Sequence, residues 1–378
     1  MQPMRRPISW TATRRERAGR LQAAPRPAEG WGWPFSRADI TAGLRRHLSD
    51  PSIEVLDVQP LPMTHRRPSI GRVRGLRAEL RSEAGPRTIR LVVKEPLGAT
   101  RAGLAGVGRR EVGVYQSLAA QLPISTPALI GAAPNGAWLL LEALQPARDA
   151  ARWTADDYRS AVNALSGLHD RFWDLGEDLA AFPWLSRPLE ADFEVHVTAA
   201  AQAIERIVEE GRPAPLAGQP ERMQLLARLT TQAEQVAAPL RRQPSTLLHG
   251  DYWPGNIAVL RNRSQVVYDW QLAAVGPAVM DVLVFISKSE WWFDDLPLGR
   301  QEIVEQYRRG LAEGIGVTWD EAAWEESWDH ALMWRFLQEW VDLLAASPGP
   351  LLQTRADQLD RIWLRPVAEA VVRRLPKG

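Results

Sequence analysis

Cysteine is absent from the 378-residue chain. This excludes disulfides, thiolate zinc sites and cysteine nucleophiles together, and it fits a cytoplasmic protein. Long apolar runs are missing too. None approaches the ~20 residues a membrane-spanning helix needs, so no membrane partner is expected. The first thirty residues carry seven Arg and no apolar segment of the signal-peptide kind. Neither sign of charge prevails: 46 Lys and Arg face 45 Asp and Glu, a net of +1, and nothing global points to nucleic acid. The six His (His47, His65, His169, His196, His249 and His330) are scattered, with no H-E-x-x-H, which speaks against catalytic zinc. No Gly-Lys pair supports a Walker A loop, and there is no G-x-S-x-G elbow.

Lysine is scarce. Against 43 Arg there are three Lys: Lys94, Lys288 and Lys377. GC-rich coding alone produces such a bias, but a Lys inside the apolar strand "RTIRLVVKEP" still asks for a reason. Charge is also unevenly spread. Residues 65 to 77 hold five Arg and no acid, whereas 281 to 342 hold fourteen Asp and Glu against five Lys and Arg. The first segment suits phosphate and the second suits cations, or both are solvated faces.

The length is comfortable for two domains or lobes, and 45% hydrophobic with 24% charged residues is a globular composition. Residues 1–30 are Arg-, Ala- and Pro-rich without a period and read as a mobile arm. "SRADITAGLRRHL" predicts a helix with Ser36 as N-cap. "IEVLDVQPL", "GRVRGLRAELRS" and "RTIRLVVKEP" predict antiparallel strands joined by turns such as Glu83–Pro86. "RREVGVYQSLAAQL" predicts a helix and "WLLLEAL" a buried strand. Beyond it the pattern is mainly helical, interrupted by "LLHGDYWPGN" and a hairpin over "IAVLRNRSQVVYDW" with its turn at Asn262–Ser264. A β-rich front, 31–144, thus precedes a helical rear, 145–378.

The sharpest constellation is His249-Gly250-Asp251, with Asn256 five positions after the Asp and Asp269 thirteen further on. Phosphoryl transfer needs positioning, charge neutralisation and a carboxylate that orients the attacking hydroxyl. A carboxylate and a carboxamide five apart in a tight loop can face one centre. A second carboxylate after a hairpin completes an oxygen set that suits Mg²⁺. The D-x-x-x-x-N spacing is that of the protein-kinase catalytic loop. A solvent turn explains the composition of the stretch but not its order.

"LLHGDYWPGN", "VVYDWQLAAVGPAVMDVLVF" and the β-rich front resemble the aminoglycoside phosphotransferase and choline kinase superfamily over about residues 50 to 290. Trp253 and the Asp-Trp-Gln at 269–271 are closest to its ecdysteroid-kinase-like branch. The resemblance implies an α+β, protein-kinase-like two-lobe fold, with an antiparallel sheet in the N-lobe and a mainly helical C-lobe. It implies an ATP- and Mg²⁺-dependent phosphotransferase acting on a hydroxyl of an aminoglycoside-, choline- or sugar-like molecule. Asp251 matches the catalytic base, and Asn256 and Asp269 match the metal ligands. His249 and Asp281 match residues that brace the site. Lys94 matches the phosphate-binding Lys, with Glu111 as its partner. Where many members carry Glu, position 271 is Gln, which puts a metal role there in doubt. Ser69, Gly71 and Gly75 stand where a Gly-rich phosphate loop is expected, without its full pattern. "LLLEAL" resembles the hinge that meets adenine, near Glu142 and Leu144. His169 is expected to be a packing residue.

The acceptor is expected against the rear lobe. Seven of the seventeen Trp fall in 281–342 beside the acidic excess, which leaves two readings: a cationic acceptor held by carboxylates and indoles, or core packing of Trp324, Trp328 and Trp334 on one helix face. Two function classes stand, a small-molecule kinase and a kinase-fold binding protein without catalysis. The presence of Lys94, Asp251, Asn256 and Asp269 together favours the first. Oligomeric state is left open.

Overall fold

The computed structural model describes residues 31–376 except 64–70, 97–103, 294, 348–351 and 353. The arm at 1–30 and Ser69 lie outside the described residues.

Helix α1 (Arg37–Leu48) begins at the predicted cap. Ser36 Oγ accepts from the Asp39 amide at 3.1 Å, and the Asp39 carboxylate accepts from the Ser36 amide at 2.8 Å, a reciprocal capping box. Strands β1 (Glu54–Leu61), β2 (Arg72–Ser82) and β3 (Gly85–Glu95) follow, then helix α2 (Val107–Gly113), β4 (Leu129–Ala132) and β5 (Leu139–Glu142). The five strands form one antiparallel sheet in the order β1-β2-β3-β5-β4. Gly75, read as part of a phosphate loop, instead sits inside β2, paired with Leu61 and Val92.

Strand alternation decides what each face carries. Leu91 and Val93 of β3 enter the small core that Ile40 and Leu44 of α1 close. Lys94, one residue on, is directed to the opposite face. Leu140 joins the same small core, whereas Leu139 and Leu141 join the larger core shared with the helical part. The unbroken apolar "LLL" of β5 is therefore buried on both sides. Strand β4 has four residues, one of them Gly, too few for alternation to mark it.

The predicted helix over 109–122 starts at Val107 and changes pitch, passing into a π-helical turn at Val114–Leu118 and a 3-10 turn at Ala119–Gln121. Gly108 permits the docking of α2. A Cβ there would lie 2.1 Å from the Gly136 carbonyl oxygen in the β4–β5 turn.

The rear is mainly helical: α3 (Ala155–Arg171), α4 (Phe193–Glu210), α5 (Ala214–Ala217), α6 (Pro220–Thr231) and α7 (Ala233–Arg241). Four short strands interrupt it. β7 (Ile257–Val259) and β8 (Gln265–Val267) are the expected hairpin, closed by Asn262 Oδ1 accepting from the Ser264 amide at 3.1 Å. β6 (Ser245–Leu248) and β9 (Ala274–Pro277) pair around it. Helices α8 (Val279–Trp292), α9 (Arg300–Ile315) and α10 (Glu321–Arg335) follow. The last continues through a π-helical turn, Phe336–Trp340, into α11 (Val341–Ala346). Helix α8 is buried almost all round, as its continuous "VLVFIS" requires. The architecture is the protein-kinase-like two-lobe α+β fold, antiparallel sheet in front and helices behind. No described helix is long and apolar enough to cross a membrane.

Candidate active site

The loop leaving β6 is fixed through its backbone. Gly250 has φ +77°, and a Cβ there would meet the Leu272 carbonyl oxygen at 2.0 Å, so position 250 accepts only glycine without rearrangement. Asp281, fully buried in α8, accepts from the amides of His249 at 2.7 Å and Gly250 at 2.9 Å. The Arg335 guanidinium donates to the Gly250 carbonyl at 2.9 Å. His249 Nδ1 accepts from the Asp251 amide at 3.2 Å, so Nε2 carries the proton and donates to the Tyr268 carbonyl at 3.1 Å. Burial lowers the pKa of this ring, in keeping with the neutral tautomer.

Asp281 is itself held from behind. Burial opposes its ionisation, yet His169 and the His249 amide keep its carboxyl below the usual range. His169 does more than pack. It is buried, but it also bridges, with Nδ1 2.6 Å from the Tyr307 hydroxyl and Nε2 3.4 Å from Asp281.

Asp251 follows in the same loop. The Asn256 carboxamide nitrogen donates to the Asp251 carbonyl at 2.9 Å and to its Oδ2 at 3.0 Å. With the nitrogen so engaged, Asn256 offers Oδ1 as its remaining acceptor. The Tyr268 amide donates to the Asn256 carbonyl at 3.0 Å across the base of the hairpin, which puts Asp269 one residue from Asn256's backbone partner. Asp269 adopts a left-handed conformation, φ +67° and ψ +53°, unusual for a residue other than glycine. Its carboxylate meets the Lys94 ammonium from the sheet. Lys94 also lies 2.6 Å from Glu111 of α2, an ion pair rather than an aligned hydrogen bond. Burial works against the Lys94 charge, but Asp269 and Glu111 more than offset it and raise its pKa.

Asp251 with Asn256, and Asp269 with Lys94 and Glu111, thus form two contact groups that the Tyr268 amide joins, and the second spans both lobes. Among the described residues no cluster of three or more His, Cys, Asp or Glu stands ready for a metal. A Mg²⁺ carried by a nucleotide takes only one or two protein oxygens and completes its shell with phosphates and water. Asp269, with 23% of its side chain exposed, and Asn256 Oδ1 are the oxygens here that could hold such an ion.

Other expected residues fall differently. Glu142 is exposed at the end of β5. Its amide is bonded to Ala128 and the next amide, Ala143, to Arg90. Leu144 follows, half-buried. Gln271 is buried and gives its carbonyl to Arg110 at 2.9 Å. Trp324 and Trp334 are core residues, and Trp328 packs against the same core. Many acids of 281–342 pair with arginines: Glu290 with Arg300, Glu302 with Arg159, Glu321 with Arg308, Asp329 with Arg373 and Arg374, Asp342 with Arg206.

Three functional neighbours escaped sequence reasoning. Lys288 of α8 contacts Asp251 Oδ1 and lies 3.5 Å from Glu339, Arg335 pins Gly250, and Arg110 pins Gln271. Only the rarity of lysine pointed to the first, and two arginines among 43 gave no signal.

A braced carboxylate loop beside a sheet-borne lysine is the arrangement that phosphoryl transfer calls for. The profile of the phosphotransferase enzyme family (APH) matches residues 77–326, well over half of the chain, and the chain belongs to that family. Among solved structures it is similar to the amicoumacin kinase hAmiN in complex with AMP-PNP, Ca²⁺ and Ami (14% identity, 82% of this chain and 88% of that one, TM-score 0.49). It is also similar to the macrolide 2'-phosphotransferase MphH from Brachybacterium faecium (17%, 82% and 99%, TM-score 0.42). A third is a choline/ethanolamine kinase family protein from Mesorhizobium loti (13%, 84% and 86%, TM-score 0.43). At such distances the likeness bears on no acceptor. No curated protein matches the chain.

Proposed function

We propose that the protein transfers the γ-phosphate of ATP to a hydroxyl of a small molecule, with Mg²⁺ as cofactor. The observation that carries this reading is the pair of contact groups, Asp251–Asn256 and Asp269–Lys94–Glu111, joined through the Tyr268 amide on the Asn256 carbonyl and assembled from both lobes. Asp251 accepts the proton of the acceptor hydroxyl. The hydroxyl oxygen bonds to the γ-phosphorus as the bond to the bridging oxygen breaks, and that electron pair leaves with ADP. Asn256 Oδ1 and Asp269 hold the metal, which neutralises charge on the phosphates when bound. Lys94, oriented by Glu111, takes α- and β-phosphate oxygens, a role that suits a compact ammonium on a rigid strand. Leu144 supplies main-chain contact to adenine, with Glu142 at the rim. His249 and Asp281 fix the loop and touch no substrate. The Asp269-Trp270-Gln271 sequence supports the ecdysteroid-kinase-like branch. Positive charge on the acceptor draws little support from 281–342, because so many carboxylates there already face arginines.

One observation favours the second reading, a nucleotide-binding protein without catalysis: both site aspartates carry a lysine ammonium. Asp251→Asn separates the two. The phosphotransferase reading expects nearly unchanged Mg·ATP binding by thermal shift and turnover lowered by a factor on the order of 10² or more. Turnover equal to wild type would remove Asp251 as base.

A further inference from the structure

The chain uses Lys three times against 43 Arg, and the two described lysines, Lys94 and Lys288, each contact one of the two site aspartates. Lys377 lies outside the described residues. A sequence that writes nearly every cation as Arg has kept Lys at these two places. An ammonium is a single point of charge, whereas a guanidinium is a rigid planar fork that occupies more of a small site. Lys94 approaches from the sheet. Lys288 approaches from the opposite lobe, on the last turn and a half of α8.

From this we infer that Lys288 is a positioning residue of the phosphotransfer site, acting through Asp251; the inference rests on the reading of Asp251 as the base. The carboxylate of Asp251 is held at both oxygens, Oδ2 by the Asn256 carboxamide at 3.0 Å and Oδ1 by the Lys288 ammonium. Two donors on different elements fix both its rotation and its tilt, so the lone pair meant for the hydroxyl keeps one direction. Lys288 is anchored in turn. Glu339 lies 3.5 Å from its nitrogen and 2.5 Å from Arg335, and Arg335 donates to the Gly250 carbonyl in the same loop. The circuit Asp251–Lys288–Glu339–Arg335–Gly250 therefore closes on the catalytic loop from the helical side. Nearby, Trp253 stacks on Trp292, the final residue of α8, at 6.0 Å, which ties the far end of the loop to the same helix. Within the circuit two cations balance two carboxylates, so Lys288 neutralises Asp251 without adding net charge to the loop.

The three lysines make the test direct. Protein carrying [¹³Cε]lysine gives three resonances, and Lys288→Arg identifies one of them by its loss. Asp251→Asn should move the Lys288 resonance, a readout that needs no activity. In parallel, Mg·ATP is supplied with water as the acceptor. Lys288→Met should lower kcat for ATP hydrolysis tenfold or more with KM for Mg·ATP within twofold of wild type, and Lys288→Arg should recover part of the loss. A Lys288 resonance indifferent to Asp251→Asn would overturn the inference. So would a kcat for Lys288→Met within twofold of wild type, or a kcat loss matched by an equal loss of nucleotide affinity. If wild type neither binds nor hydrolyses Mg·ATP, the phosphotransferase reading fails, while the resonance still reports whether the ion pair exists.

Discussion

The two lysines of the cleft sit in opposite lobes and arrive by different physics. Lys94 is placed by a strand: period-two alternation sends Val93 into the small core and Lys94 to the cleft face, next to α2 and its Glu111. Lys288 is placed by a helix whose remaining surface is buried among other helices. It reaches Asp251 only because α8 lies across the end of the β6 loop. The burial of the two pairs also differs. Lys94 and Glu111 keep 7% and 1% of their side chains exposed, while Lys288 and Asp251 keep 15% and 11%. A more buried pair tolerates the loss of one partner less well, because the charge left behind has less access to water. The phosphate side should therefore be the more fragile of the two.

Removing each lysine tests that contrast. Lys94→Met leaves Glu111 and Asp269 without their ammonium and should cost about 3–5 kcal/mol of stability. Nucleotide affinity should fall together with stability. Lys288→Met should destabilise less and act on kcat. Urea unfolding of both variants, with Mg·ATP titrations, reads the difference, and equal losses would dissolve it.

The loop backbone supplies the next largest effect. Gly250→Ala puts a Cβ against the Leu272 carbonyl and an L-residue in the left-handed region, for a combined loss of about 2–4 kcal/mol. The damage should extend from the Asp251 loop to the turn after Asp269, since Leu272 ends that turn. Hydrogen exchange at both segments would show it, and a variant with wild-type melting would mean the loop relaxes freely.

The smallest expected effect lies behind the loop. A cavity of about 30 Å³, room for one or two waters, is lined by His196, Arg110, Arg335 and Gly250 among others. Burial, opposed by Asp192 and aided by Arg335 and Arg110, pushes the His196 pKa down to about 4 from 6.5. The folded ring stays neutral while the unfolded ring takes a proton, so this contribution is complete above pH 6.5. It declines as pH falls from there toward 4, by at most about 3 kcal/mol. His196→Gln should flatten the fall in melting temperature across that window. Parallel curves for the two proteins would place the pH dependence elsewhere.

Much of the fold was legible because its signals are local. Ser36 and Asp39 cap α1 within one turn, Asn262 closes its own hairpin, and the alternation of β2 and β3 is written in consecutive residues. Strands β4, β6 and β9 were missed. Each has four residues, and β6 and β9 become strands only by pairing with each other across an intervening hairpin. At the site, Asp251 and Asn256 were legible because a tight loop fixes two groups five residues apart. The bridging part of His169 was not, since its partners Tyr307 and Asp281 lie more than a hundred positions away.

The sequence by itself determined the chemical set: a carboxylate and carboxamide in one loop, a second carboxylate after a hairpin, a lysine at the end of a strand. Those depend on neighbours in the chain, where covalent geometry limits the choices. Only the tertiary structure decided that Lys288 would face Asp251 from 37 residues away, and that Arg335 would pin Gly250 from 85. Such contacts follow from how buried helices pack, and packing depends on the whole core rather than on any stretch of residues.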